Sequence, residues 1–199
     1  MPLLQQEPGR DTGRLNMTLT DHYEQHLGRI DRGWSSQGPA GVQVCLFRNQ
    51  PMEAAYTLAT LGLSTHELLM NNSRTVRQEL LLSASKDAPD ELAKLLFYLS
   101  EDLLAGHRAL LRGQVVHLSS PIVPGSHATD LYASIPVVFP DALATFTETS
   151  PPTVCVWLFP VLPNEVGYIS SRGWGAFEEL LERKDPNLFD LNRKSVIEP

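Results

Sequence analysis

"YTLATLGLS", residues 56–64, is a strand that stops abruptly. Tyr56, Leu58 and Thr60 fall on one side of a pleat, and Thr57, Ala59 and Leu61 on the other. Gly62 then allows backbone angles that a Cβ would forbid, and Ser64 follows two places on. A Gly-x-Ser at a strand end can be a catalytic turn, a ligand loop or a bend in a sheet. The segments around it decide.

Upstream, "GVQVCLF" (41–47) is a strand turned by "NQP". Downstream, "HELLM" and "TVRQELLLSAS" flank the turn "NNS" and read as a hairpin. In the second of these, Val76, Gln78, Leu80 and Leu82 face one way and Arg77, Glu79 and Leu81 the other, which predicts a sheet with one wetter face. "DAPDELAKLLFYLSEDLLAG" (87–106) is the clearest helix: Asp87 or Asp90 caps it, and Gly106 ends it. Its stripe of Leu92, Leu95, Leu96, Leu99 and Leu103 is worth about 8–15 kcal/mol of transfer free energy before entropy, so the helix must lie against the sheet.

"GQVVHL" (113–118), "TDLYASIPVVF" (129–139) and "TVCVWLFPV" (153–161) are further strands. A first helix is predicted over 21–32, with Asp21 as cap, Glu24 as capping-box partner and Tyr23, Leu27 and Ile30 on one face. A last helix, "WGAFEELLERKDP", puts Trp174, Phe177, Leu180 and Leu181 on its apolar face and is stopped by Pro186. Strands, helix, strands, helices is an α+β order rather than βαβ winding. Residues 1–17 read as a loose polar tail and 18–199 as one domain.

With 16 basic and 23 acidic residues the chain carries a net charge of −7, which disfavours nucleic acid and leaves room for a basic protein partner. It has no apolar run of membrane-spanning length and no signal-peptide core, and reads as a soluble cytoplasmic protein. His22 and His26 stand at i and i+4, but Tyr23 follows the first histidine where the zinc-protease pattern needs Glu, and no third ligand is marked. They read as exposed surface histidines, and no metal or other cofactor is expected.

"STHE" (64–67) offers Ser64, His66 and Glu67, yet neighbours on an extended segment alternate in direction and cannot align as a triad. A hydrolase using Ser64 and His66 is therefore a minor alternative. Convergence of any two of Ser64, His66, Glu67, His107 and His127 in one pocket would speak for it. Cys45 and Cys155 sit inside apolar strands and read as buried, reduced and unpaired.

The series "YTLATLGLS", "RQELLL", "APDELAKLLFYLSEDLLAGHRALLRGQVVHL", "VWLFPVLPNEV", "WGAFEELLE" and "LFDLNRKSV" resembles the Suppressor of Fused domain family over about residues 40–196. In that family a strand ends in a Gly-[Leu/Met]-Ser turn and an "E-L" strand follows. A Pro-initiated leucine-rich helix, a glycine with a strand, a strand leading to "P…E" and a closing helix before "D…R" complete the pattern. The resemblance implies a mixed, largely antiparallel sheet flanked by helices, and a binding module rather than an enzyme.

Two-domain animal members of that family sequester transcription factors by gripping a peptide as an added strand. Single-domain bacterial members, which this chain matches in length, look like immunity proteins that neutralise toxins. A protein partner, with a toxin domain foremost and a generic peptide-binding adaptor as the other binding role, is thus expected. Where the animal members carry an acidic residue after the glycine that opens the strand following the long helix, this chain has Gln114. Under this reading Gly62 and Ser64 shape a structural turn. The partner is expected on or beside Gln114, Val115, Val116, His117 and Leu118, a strand that runs into a loop punctuated by Pro121 and Pro124, as suits a sheet edge.

Overall fold

The computed structural model describes residues 17–36, 38, 40–71, 73–85 and 88–197. Along them run helix α1 (Leu19–Leu27) and strands β1 (Arg32–Ser35), β2 (Gln43–Arg48), β3 (Tyr56–Leu61), β4 (Leu68–Leu69) and β5 (Thr75–Ala84). Helix α2 (Pro89–Ala105) and strands β6 (Val115–His117), β7 (Asp130–Ser134), β8 (Thr145–Phe146) and β9 (Thr153–Val161) follow, and α3 (Pro163–Arg172) and α4 (Trp174–Lys184) close the chain.

The sheet runs β1-β2-β3-β5-β9-β7-β6, with β4 hairpinned on β5 and β8 lying on β9. All its pairings are antiparallel except β5 with β9. This is the mixed, largely antiparallel α+β arrangement expected.

The two central strands carry apolar runs, "ELLLSA" and "CVWLFPV", because both faces of the sheet are covered. On one face α2 lays Leu92, Leu96, Leu99 and Leu103 over Leu46, Leu58, Leu80, Leu82 and Leu158. On the other, Tyr23 and Leu27 of α1, Ile169 of α3 and Phe177, Leu180 and Leu181 of α4 pack on Phe47, Leu81, Tyr132, Trp157 and Phe159. β5 therefore has no wet face. Gln78 and Glu79, one on each side, are both buried, which corrects the expectation of a wetter side.

Other expectations are corrected as well. α1 begins at Leu19, not Asp21: Thr18 is its cap, and Asp21 is the reciprocal member of the capping box, returning a bond to the Thr18 backbone N–H (2.9 Å). The helix also stops at Leu27, with Gly28 (φ +81°) as cap, and residues 32–35 form β1, a strand the sequence reading did not foresee. His22 is not exposed. It is 5% accessible, with Nε2 3.3 Å from the Leu143 carbonyl and its ring against Phe146.

α2 has no side-chain cap. Its cap is Ala88, and Asp90 instead accepts from Trp34 Nε1 (2.8 Å) and Arg32 of β1, while Asp87 lies outside the described residues. Leu95 is only partly buried; Gly106 ends the helix where expected. The strand read over 129–139 ends at Ser134, and Trp174 is 45% exposed rather than part of the buried face of α4. The expected tail, 1–17, lies outside the described residues but for Met17.

Candidate functional site

The turn from Gly62 to Thr65 is built around one buried acid, Glu79. Gly62 takes φ +106°, a region that disfavours side chains, and leads into a single 3₁₀ turn, Leu63–Thr65. That geometry aims the N–H groups of Gly62 (2.9 Å) and Ser64 (3.0 Å) and the Ser64 hydroxyl (2.7 Å) at Oε1 of Glu79, which is wholly buried. The Thr60 hydroxyl donates to Oε2 (2.5 Å) while accepting from Leu80 N–H (2.8 Å). Burial pushes the Glu79 carboxyl above its ordinary range, and the bonds from Thr60, Ser64 and Gly62 oppose that rise. Ser64 is thereby committed to holding the turn on β5.

His66, Glu67 and His107 do converge, together with Arg77, on an open depression of about 660 Å³. Ser64 is not among its lining residues, nor is the exposed His127. Glu67 is occupied by Arg77 (3.1 Å) and the Thr75 hydroxyl (2.7 Å), and Arg77 also donates to the carbonyls of Ser64 and Thr65 (2.8 and 3.0 Å). A nucleophile paired with a base is not assembled there. Among the described residues no group of three or more His, Cys, Asp or Glu is arranged to hold a metal ion, and no helix is long and apolar enough to cross a membrane.

Cys45 and Cys155 are buried and free, as expected. Burial, reinforced by the Glu79 charge, raises both thiols, Cys155 to about 12. Because the thiolate is the reacting species, a thiol reagent at neutral pH should label the native protein slowly and the denatured protein fast. Rapid native labelling of either cysteine would contradict this packing.

β6 forms one end of the sheet and, among the described residues, pairs only with β7, with Val115 opposite Tyr132 and His117 opposite Asp130. Two bonds fix which way its backbone points. Leu118 N–H donates to the Thr129 carbonyl (3.2 Å), and Gln114 O accepts from Ala133 N–H (2.9 Å). Residues 114, 116 and 118 thus face β7, and by alternation the amides and carbonyls of Val115 and His117 face outward. Side chains alternate too: Val116 and Leu118 pack toward α2, and Val115 toward the opposite layer.

His117 leans on Asp130 (Nδ1 to Oδ1, 2.6 Å), and the Gln114 side chain accepts from Leu111 N–H (2.8 Å). Between β6 and α2 lies a groove of about 410 Å³ whose far wall carries Tyr98, Leu99, Asp102 and Arg108, Tyr98 being 61% exposed. The strand is aimed into this position by Gly113. It takes φ +88°, and a Cβ there would stand 2.5 Å from Cγ of Trp174.

A buried pair locks the C-terminal segment against the end of β9 and the start of α3. Arg193 grips Glu165 of α3 through two bonds (2.6 and 2.7 Å) and donates to the Pro160 carbonyl (2.9 Å), while Leu162 and Val196 N–H groups complete the carboxylate (3.0 and 2.9 Å). These are the glutamate and arginine of the "P…E" and "D…R" segments, too far apart in sequence for spacing to pair them.

The pattern of the Suppressor of fused protein (SUFU) family matches residues 38–194, which hold most of the sheet, the glycine turn and the terminal ion pair: the chain belongs to that family. Among curated proteins it is similar to the immunity protein YqcF of Bacillus subtilis (strain 168), 20% identical over 172 residues that span 85% of this chain and 88% of that one.

Among solved structures, a putative SUFU homologue from Neisseria gonorrhoeae superposes with TM-score 0.75 at 17% identity, covering 92% of this chain and 97% of that one. A chain of the Sufu–Fu complex gives 0.66 at 13%, covering 89% of each. Drosophila Suppressor of Fused gives 0.64 at 14%, with 89% of this chain spanning 49% of the fly protein. At these identities the structures show a shared fold.

Proposed function

We propose that this chain is a non-enzymatic binding module that captures an extended segment of a protein partner on the outward edge of β6, and that the partner is a toxin domain which it neutralises. The observation that carries the proposal is the outward-facing backbone of Val115 and His117 at a sheet end, beside a groove wide enough for a partner's side chains. A strand added there gains main-chain bonds, and alternate side chains can enter the groove. The likeness to an immunity protein and to a Sufu chain found in complex with Fu supports a protein partner. The commitment of Ser64 to Glu79 supports a role without catalysis.

The test uses proline at two adjacent positions. Val115→Pro removes an outward amide and should leave the fold intact while lowering partner affinity at least a hundredfold. Val116→Pro removes an amide that faces β7 and should cost about 3 kcal/mol of stability. The partner to try is the C-terminal domain of a secreted polypeptide encoded beside this chain, co-expressed with it to score rescue of growth. Failure of rescue and of pull-down would remove the toxin reading. Full binding by a folded Val115→Pro variant would remove the β6 edge as the docking place.

A further inference from the structure

The face of the sheet opposite α2 carries a second concavity, between α4, the end of β7 and the segment after α4. Its volume is about 200 Å³, below the ~300–1,000 Å³ usual for small-molecule sites and of the order of one long side chain. Its walls are apolar, with Val138, Phe159, Leu181 and Leu188. At its lip Ile135, Val137 and Val138 stand exposed within one short stretch, Val137 by 63%. Exposed apolar residues grouped in this way, with a polar rim, mark a contact surface.

The rim is charged, and unevenly so. One guanidinium, Arg112, and three carboxylates, Glu178, Glu182 and Asp185, line it, a surplus of two negative charges. Arg112 is committed to Glu178, to which it donates twice (3.1 and 2.5 Å), and it lies 5.1 Å over the Trp174 ring. Glu182, although within the field of Arg112, and Asp185 are exposed. Among the described residues neither carboxylate accepts a hydrogen bond or forms an ion pair. Apolar walls under an anionic rim call for a side chain that is apolar along its length and cationic at its tip, as lysine and arginine are. Leucine or phenylalanine would fill the walls but would take water from the rim carboxylates without replacing its hydrogen bonds. An acidic side chain would be repelled, and a short polar one would leave the walls unfilled.

We propose that this pocket is a second protein-contact site, which receives one long basic side chain, lysine or arginine, from the partner. It rests on the reading that the chain binds proteins, but not on the β6 edge or on the partner's being a toxin. The stem of that side chain lies along Val138, Leu181 and Leu188, and its charged head meets Glu182 and Asp185 at the mouth. The chain's net charge of −7 draws a basic surface toward it from a distance, and the pocket fixes where one of its cations docks.

The probes are acetylated, amidated tripeptides in which one variable residue stands between two glycines, titrated against the methyl resonances of Val137, Val138 and Leu188. The lysine and arginine peptides should move those resonances saturably. The norleucine peptide, which keeps the lysine stem without its charge, should bind about fivefold more weakly, as befits loss of an ion pair at a solvent-exposed mouth. The 2,3-diaminopropionic acid peptide, which keeps the charge on a single methylene, should bind about tenfold more weakly because it cannot cover the walls. Glu182→Gln combined with Asp185→Asn should bring the lysine peptide down to the norleucine level and leave the norleucine peptide unchanged. Val115→Pro should change neither. No saturable shift, a norleucine or diaminopropionic acid peptide that binds as tightly as lysine, or a preference for lysine that survives the double substitution would overturn the proposal. None of these outcomes bears on capture at β6, which is read from Val115→Pro with the partner itself, so the two readings fail separately.

Discussion

Glu79→Ala is expected to destabilise the protein by about 2–6 kcal/mol, a large share of the roughly 5–15 kcal/mol that keeps a domain folded. The hydroxyls of Thr60 and Ser64 can turn to other partners, but the N–H groups of Gly62 and Ser64 are fixed by the turn and would be orphaned. Each buried donor so abandoned costs about 1–3 kcal/mol.

The same group has a pH signature. The folded protein holds the Glu79 carboxyl above its ordinary range because it is buried. A raised folded value means that the stabilising contribution is fully present below the unfolded value, near pH 4.3, and is lost as pH rises through the folded one. Glu79→Gln cannot titrate. The stability of wild type relative to this variant should therefore grow on acidification from neutral pH toward pH 4.3, as read from urea unfolding at each pH. A difference that instead grows with rising pH would mean that the four donors, not burial, dominate.

Arg193→Met should cost about 3–5 kcal/mol, because it strands Glu165 in a site where that carboxylate is wholly inaccessible. Two of the six hydrogen bonds the two side chains make or receive are held by Leu162 and Val196 N–H, so the anion keeps partial support but no counter-charge. The loss should appear as a lower denaturant midpoint with an unchanged slope. A midpoint within experimental error of wild type would show that the pair contributes orientation only. By contrast, removing an exposed pair such as Arg48 with Asp31 (2.8 Å) should change stability by no more than about 1 kcal/mol.

How far the sequence could be read depended on whether a contact was local. α2 was legible because leucine spacing, Pro89 and Gly106 all lie within one segment, and the α+β order followed from the succession of such segments. Gly62 was legible as a bend, but the reason for it was not. Glu79 sits between Gln78 and Leu80, and alternation alone reads such a strand as half wet. Only the position of β5 at the centre of a sheet covered on both faces makes its acid a buried anchor for a turn 15 residues upstream.

The same cause hid β1, four residues with Gly33 and Ser35 and little apolar pattern, whose place is set by pairing with β2. His22 looked exposed because its burial comes from Leu143 and Phe146, more than a hundred residues away. For the candidate site, Pro121 and Pro124 marked the end of a strand, and the structure puts Val115–His117 at the sheet's end. The outward direction of Val115 and His117 and the groove beneath Tyr98 required the partner elements α2 and β7 in place.

The central claim is that a partner adds a strand to β6, and amide hydrogen exchange on the complex tests it at the backbone itself. In the free protein Val115 and His117 amides should exchange fast, while that of Leu118, bonded to Thr129, should be slower. Saturation with the partner is predicted to slow exchange at Val115 and His117 at least a hundredfold and to leave Leu118 little changed. Protection that appears elsewhere, with Val115 and His117 still exchanging as in the free protein, would contradict strand addition at this edge.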